Sequence, residues 1–242
     1  MEGEADHKPS GGPEMSRTDR MYYIGRRLHS LSGIVPVGAF LVQHVYGNAL
    51  AIKGSEAYDE HVRNLLSMPG VVFLEWFGIY LPILFHGILG IYYAINSKSN
   101  TSRYGYQRNW AYVMQRITGV LLLAYIVMHV WTTTFTFSED QKMNMYATMQ
   151  QYFDDMPWMV GLYILGMISA AFHLSNGIWS FCIMWGITIT RKSQQLVWKM
   201  AMGIFVILSV LGVWSVLVLA NGPAAEHNGT NGSHTHHEHP HK

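Results

Sequence analysis

Residues 158–189 read WMVGLYILGMISAAFHLSNGIWSFCIMWGITI, a run of 32 residues without an aspartate, glutamate, lysine or arginine. At 1.5 Å per residue, a helix of this length crosses a hydrocarbon core of about 30 Å with residues to spare. One histidine, His173, lies near the middle of the run. An imidazole in the hydrocarbon layer costs free energy unless it has a partner, so His173 indicates a functional site.

Four further apolar stretches, at 31–52, 71–95, 110–135 and 197–220, are also long enough to span a membrane. Half of the 242 residues are hydrophobic and only 13% are charged, against about 25% in soluble domains. The sequence therefore predicts an all-α membrane protein with five transmembrane helices. Membrane lipid surrounds such a protein, and with a net charge of +1 no nucleic-acid partner is expected.

Four of these stretches each contain one deeply placed histidine: His44, His86, His129 and His173. A single case is typical of a packing histidine, but four on four helices indicate two bis-histidine sites. We predict that these four helices form an up-down bundle around two haems. Because the chain has one cysteine, Cys182, and no Cys-x-x-Cys-His motif, the haems are expected to be b-type.

Twelve of the 16 lysines and arginines fall in three places: the N-terminal arm, the second loop and the fourth loop. By the positive-inside rule the N-terminus is cytoplasmic and the C-terminus outside, in a multi-pass protein of the plasma (inner) membrane. Residues 1–20 have no signal-peptide core and are predicted to be a polar cytoplasmic arm. The transmembrane domain is placed at 21–220. Residues 221–242 are predicted to be a disordered, His-rich extracytoplasmic tail.

Depth within the membrane predicts how the histidines pair. His44 and His129 lie nine and ten residues before outer loops, whereas His86 and His173 lie 17 and 16 residues beyond outer loops. The two levels are then separated by about 10 Å. We predict that His44 pairs with His129 near the outside and that His86 pairs with His173 near the cytoplasm, across the diagonals of the bundle.

Glycines and one carboxylate share these helix faces. Gly33 lies on the face of His44, and Gly90 and Gly177 lie one turn beyond the two deeper histidines, where a flat ring could approach the backbone. Small residues also permit plain helix packing in lipid. Glu75 lies three turns outward of its span's histidine, and it is either the proton donor of a quinone site or an interfacial carboxylate that reaches solvent.

Several strings together resemble one known family. They are RRLHS at 26–30, PVG at 36–38, QH at 43–44, RNW at 108–110, QRITG at 115–119, HVW at 129–131, FHLSNGIWSF at 172–181 and WGIT at 185–188. The chain resembles, over about residues 21–220, the di-haem cytochrome b membrane anchors of succinate:quinone oxidoreductases, of the single-subunit Bacillus type. The four histidines fall in order along the matching region.

This resemblance implies a subunit that receives electrons from a flavoprotein and an iron–sulfur protein and passes them through two b haems to a quinone. Such anchors generally use menaquinone, and the whole complex could form a higher oligomer. The resemblance implies the same histidine pairing and places the quinone acid near the outer end of the second helix, where Glu75 and Glu60 both qualify. Candidate haem-propionate contacts at the cytoplasmic ends are Arg27, His29, Ser30, Arg108, Trp110 and Arg116.

Three alternatives remain open from the sequence. One is a fumarate reductase anchor that oxidises quinol, since nothing in one chain sets the direction of electron flow. Another is the di-haem anchor of a different dehydrogenase, such as formate dehydrogenase or hydrogenase, which the matching strings disfavour. The third is a metal transporter that uses the intramembrane histidines and the His-rich tail.

Overall fold

The computed structural model describes residues 16–97 and 105–224, and the regular structure within these ranges is entirely helical. Five helices are long and apolar enough to cross a membrane: Arg17–Lys53, Val71–Ile95, Gln107–Thr136, Trp158–Met184 and Arg191–Asn221. The prediction of an all-α membrane protein with five spans is confirmed. We number these helices as the first to the fifth span.

The first span begins well before its apolar stretch. It consists of the helices Arg17–Ile34 and Pro36–Ala49 and a 3₁₀ turn, Leu50–Lys53. The Ser16 side chain caps its start by accepting a hydrogen bond from the Asp19 backbone N–H at 3.1 Å. The predicted boundary at residue 20 therefore lies inside a helix. Hydropathy did not reveal this half of the span because charged residues are interspersed among its apolar ones.

The second and third spans each contain a π-helical segment. The second consists of Val71–Leu74, the π segment Glu75–Tyr80 and Leu81–Ile95, and the third of Gln107–Val130 and the π segment Trp131–Thr136. The fourth span ends at Met184, five residues before the predicted end, because Gly186 adopts a positive φ of 71° that breaks the helix. Thr190 caps the fifth span by accepting from the Ser193 N–H at 3.2 Å.

The bundle has two chemically different ends. The basic end is where these cationic side chains lie: Arg17, Arg20, Arg26, Arg27, Arg108, Arg116, Arg191, Lys192 and Lys199. The acidic end is where these carboxylates lie: Glu56, Asp59, Glu60, Glu75, Glu139, Asp140, Asp154 and Asp155. Three short helices, Ser55–Leu66, Glu139–Met143 and Met145–Asp155, cover the acidic end.

The first four spans form a ring in chain order, since each packs against the next and the fourth packs against the first. The fifth packs on the outside, against the fourth and the first. The larger apolar core lies beneath the short helices at the acidic end and includes Tyr146, Phe153 and Tyr163. No residue of the second span is fully buried, as expected of a helix that has lipid on one side.

Some sequence predictions lie outside the described residues. They concern most of the polar arm, the loop cations Lys98 and Arg103, and the His-rich tail from residue 225 onward.

Candidate functional site

The structure brings the four intramembrane histidines together as two pairs. The His44 and His129 rings lie 5.7 Å apart between centroids, and the His86 and His173 rings lie 6.1 Å apart. Each pair joins spans that are diagonal in the ring of four. We call His44 and His129 the acidic-end pair, and His86 and His173 the basic-end pair.

Backbone carbonyls fix the orientation of both imidazoles of the basic-end pair. The Nδ1 atom of His86 lies 3.0 Å from the carbonyl oxygen of His29, and Nδ1 of His173 lies 3.1 Å from that of Gln115. A carbonyl can only accept, so each Nδ1 carries the hydrogen and each Nε2 retains its lone pair. This is the tautomer that an Nε2 metal ligand requires.

An amide ladder between the third and fourth spans supports His173. The Gln115 side chain donates to the His173 carbonyl oxygen at 3.0 Å. Asn176 in turn donates to the Gln115 side-chain oxygen at 2.7 Å and to the Ala111 carbonyl oxygen at 3.1 Å. These bonds satisfy amide groups that lipid could not satisfy, and they hold the two helices in one register around the imidazole.

Two glycines lie directly against the basic-end imidazoles. A Cβ atom at Gly33 would stand 2.9 Å from His86 Nδ1, and one at Gly119 would stand 2.9 Å from His173 Cε1. The prediction that Gly33 serves the face of His44 is therefore wrong in detail, because the ring that lies against this glycine is that of His86 on the second span. Gly90 lies against His29 instead. Close approach of a ring to the backbone is nevertheless what the glycines permit.

A cavity of about 840 Å³ opens beside the basic-end pair. Its volume lies within the range of about 300–1,000 Å³ typical of cofactor sites. Its lining includes both imidazoles and both glycines, Gly33 and Gly119. Five of the six candidate propionate contacts also line it: Arg27, His29, Ser30, Arg108 and Arg116. The sixth, Trp110, is 55% exposed and is not among the lining residues.

Polar atoms at this cavity fit an anionic group. Arg27 lies between the rings of Tyr23 and Trp185, with its guanidinium carbon 4.8 Å from each ring centroid. Its Nε atom is buried without a hydrogen-bond partner, as is Nδ1 of His29. Buried N–H donors are normally satisfied, and a carboxylate would accept from Arg27 Nε and from His29 in the tautomer that carries a hydrogen on Nδ1. The ring of His29 also stacks on the ring of His86, with 4.0 Å between the centroids, so His29 lies directly beside a basic-end imidazole.

Aromatic rings surround the acidic-end pair. Phe40 stacks on His44 at 5.4 Å, and Tyr125 stacks on His129 at 5.5 Å. The Tyr163 hydroxyl lies 3.3 Å from Nδ1 of His129. Neither histidine lines the large cavity. The two imidazoles of each pair fit the axial ligation of a haem through Nε2. In the described ranges, no group of three or more side chains could hold a metal ion without a cofactor.

The two candidate quinone acids occupy different settings at the acidic end. Glu75 opens the π segment of the second span and is partly buried, whereas Glu60 is exposed on the short helix Ser55–Leu66. A third carboxylate, Asp59, is 7% exposed and accepts a hydrogen bond from the Tyr146 N–H at 2.8 Å. Burial raises the pKa of Asp59, and the bond from Tyr146 partly opposes the rise.

Comparisons with known proteins give the family of this chain. Residues 98–213 match the family model described as succinate dehydrogenase/fumarate reductase transmembrane subunit. The chain is also 40% identical over 198 residues to the succinate dehydrogenase cytochrome b558 subunit of Bacillus subtilis (strain 168). The aligned region covers 82% of this chain and 96% of the relative. The chain belongs to this family of membrane-anchor cytochromes b. The family assignment made from the sequence strings is confirmed.

The sequence analysis did not identify three residues of this cytochrome b anchor that contact the histidine pairs or the residues beside them. Gln115 and Asn176 lie within the matching strings, and Tyr163 lies in the same span as His173. Their signal was polarity inside apolar stretches, because an amide or phenol in the hydrocarbon layer needs a partner. Which partner each one has depends on the helix rotations, and only the fold supplies those.

Proposed function

We propose that this chain passes electrons from an iron–sulfur subunit, by way of two b-type haems, to a quinone in a succinate dehydrogenase complex. The observation that supports this most is the pair of diagonal histidine contacts, each between two spans and each at its own depth. A b-type haem supplies a one-electron carrier when bound between two imidazoles. The proposed ligands are His44 with His129, and His86 with His173.

At the basic end, the chain's own residues would hold and neutralise the cofactor. The carbonyl oxygens of His29 and Gln115 keep the ligating imidazoles in one tautomer and one orientation. Arg27, Arg108 and Arg116 line the cavity and would offset the charge of the propionates. Arg116 is already fixed by donating to the Ser97 hydroxyl at 2.7 Å.

At the acidic end, a carboxylate would handle the protons of quinone reduction, which takes two protons with two electrons. Glu75 is the proposed donor, because it lies within a span and opens a π segment, a feature frequent at functional sites. If the basic end faces the cytoplasm, these protons come from outside. The membrane potential would then assist reduction of a low-potential menaquinone by about 2.3 kcal/mol per charge per 100 mV.

The name of the relative supports a place in a larger complex. A succinate dehydrogenase anchor implies a flavoprotein subunit and an iron–sulfur subunit, which would dock at the basic end in this proposal. The family description includes fumarate reductase, so an anchor that oxidises quinol is the second candidate. Both directions use the same haem ligands and the same proton site.

Haem stoichiometry tests the proposal directly. Pyridine haemochrome quantitation of the purified chain, combined with a protein assay, should give two haems for each polypeptide. One haem or none contradicts the di-haem proposal. A chain without haem absorption that binds Zn²⁺ or Ni²⁺ would instead support the metal-transporter alternative.

A further inference from the structure

The hydrogen-bond partner of His129 differs in kind from those of the basic-end pair. His86 and His173 each have a backbone carbonyl oxygen at 3.0–3.1 Å from Nδ1, with a side-chain hydroxyl further away at 3.4 Å. At His129 the partner is a phenol, the Tyr163 hydroxyl, at 3.3 Å. A phenol oxygen is a weaker acceptor than a peptide carbonyl, and a single substitution removes it.

The ring of Tyr163 is held in place on several sides. It packs edge-to-face against Phe153 at 5.2 Å and against Tyr125 at 5.4 Å, and Tyr152 lies at 6.3 Å. The residue is 5% exposed. Edge-to-face contacts of this kind favour one ring orientation, so the hydroxyl is directed at the imidazole by the packing of the acidic-end core.

We infer that Tyr163 is a positioning residue for the haem ligand His129, and that its hydroxyl accepts the Nδ1 hydrogen and sets the basicity of the ligating nitrogen. The inference rests on the proposed function, because it takes Nε2 of His129 as the iron ligand. Nδ1 then carries the hydrogen, and the Tyr163 oxygen must be the acceptor.

This contact has a predictable electronic sign. An acceptor at Nδ1–H makes the imidazole a stronger electron donor, which stabilises the ferric state over the ferrous state. Loss of the acceptor should therefore raise the midpoint potential of the acidic-end component and leave the basic-end component unchanged. A role in packing alone gives no reason for a shift confined to one component.

The test is redox titration of the whole complex with Tyr163→Phe, which keeps the ring and removes the hydroxyl. We expect both haems to be retained. At a fixed ambient potential, the ferrous/ferric ratio of one component should rise about tenfold, which corresponds to a midpoint potential about 59 mV higher for one electron. That component should be the one that disappears in His129→Ala. Tyr125→Phe is the matched control, since it removes a neighbouring hydroxyl from a ring that stacks on the same imidazole.

Three results would overturn the inference: no shift in Tyr163→Phe, an equal shift of both components, or the same shift in Tyr125→Phe. If Tyr163→Phe does not assemble, Tyr163→Leu also lacks the acceptor, and it should shift the same component in the same direction. Fewer than two haems in the unaltered complex would overturn the proposed function, and the inference with it. A normal haem content without a shift rejects the role of Tyr163 alone.

Discussion

The two histidine pairs are built differently within one bundle. The basic-end pair lies beside a cavity of about 840 Å³, and its imidazoles contact backbone carbonyls and glycines. The acidic-end pair lies among stacked aromatic rings, beneath short helices that cover that end of the bundle. Cations line the first site, and a phenol contacts the second.

This difference follows from which elements pack against the spans at each end. At the acidic end, Tyr146 and Phe153 on the short helix Met145–Asp155 add apolar side chains to the core, so the spans pack tightly there. At the basic end, a cavity lies between the spans, and arginines line it together with the two imidazoles. The two histidine pairs therefore have different surroundings, and hydrogen bonding and burial would tune the potential of a haem held by either pair.

Ligand replacement should break the comparison with the largest effect. His173→Ala removes one basic-end imidazole, so we expect complete loss of one redox component with the other retained, and His44→Ala should remove the other component. Redox titration followed by optical spectroscopy measures both. Loss of the same component in His44→Ala and His86→Ala would show that the pairing is wrong. Comparisons must use the variants that assemble, because a vacant polar site in lipid is unfavourable.

Replacement of Glu75 should affect the acidic end alone. Glu75→Gln keeps the shape and hydrogen-bonding capacity but cannot exchange a proton, so quinone-linked turnover should fall by about 10²-fold. Haem content and succinate oxidation with artificial acceptors should stay normal. Glu60→Gln, at an exposed position of the same end, is the matched control. Normal turnover in the first and loss in the second would move the proton site to the short helix Ser55–Leu66.

Glycine replacements should distinguish the two levels by smaller amounts. In Gly119→Ala the new methyl group would stand 2.9 Å from His173, and overpacking of this kind costs about 1–3 kcal/mol. Gly166→Ala meets the ring of Tyr125 and should disturb the acidic-end component instead. Gly161→Ala meets nothing within 4 Å and should leave both unchanged. Thermal loss of each haem band is the measurement, and equal effects in all three would refute the contacts.

Asp59 should give the smallest effect, a pH dependence of stability. Its folded-state pKa is raised, so the folded protein binds the proton more tightly than the unfolded chain does. Stability should therefore fall as the pH rises from about 4, the unfolded value, through the raised pKa. Asp59→Asn still accepts from the Tyr146 N–H and should lack this component of the pH profile. Melting curves of the unaltered protein and of Asp59→Asn, from pH about 4 to about 7, test this prediction. If the melting temperatures of the two proteins change with pH in parallel, the prediction is contradicted.

Run length and polarity were enough to predict the five spans and the histidines within them. The ends of the spans were less predictable, because capping by Ser16 and Thr190 extends helices into polar sequence. The short helices at the acidic end lack a transmembrane signature, and their role in the core depends on tertiary contacts. Depth counting and the diagonals of an up-down bundle predicted the same two ring contacts that the structure shows, since rise per residue is nearly constant in helices.

Contacts between spans were the part that the sequence could not supply. Gly33 shares a helical face with His44 on an ideal wheel, yet it contacts His86, and the first span consists of two helices that meet at Val35. His29, a candidate propionate contact, also stacks on His86, and no sequence pattern indicated that contact. Such details depend on helix rotation, and a one-dimensional pattern does not record it.

The length of the first span has a mechanical consequence. Its 37 residues give a helical path of about 55 Å, whereas the hydrocarbon core is about 30 Å thick. About 25 Å of helix, nearly five turns, therefore extends beyond the hydrocarbon, and the polar half that begins at Arg17 is the part suited to water. The helix Arg17–Ile34 is continuous, so a displacement applied at its N-terminal end is transmitted along it to Gly33 and to the His86 imidazole that Gly33 contacts.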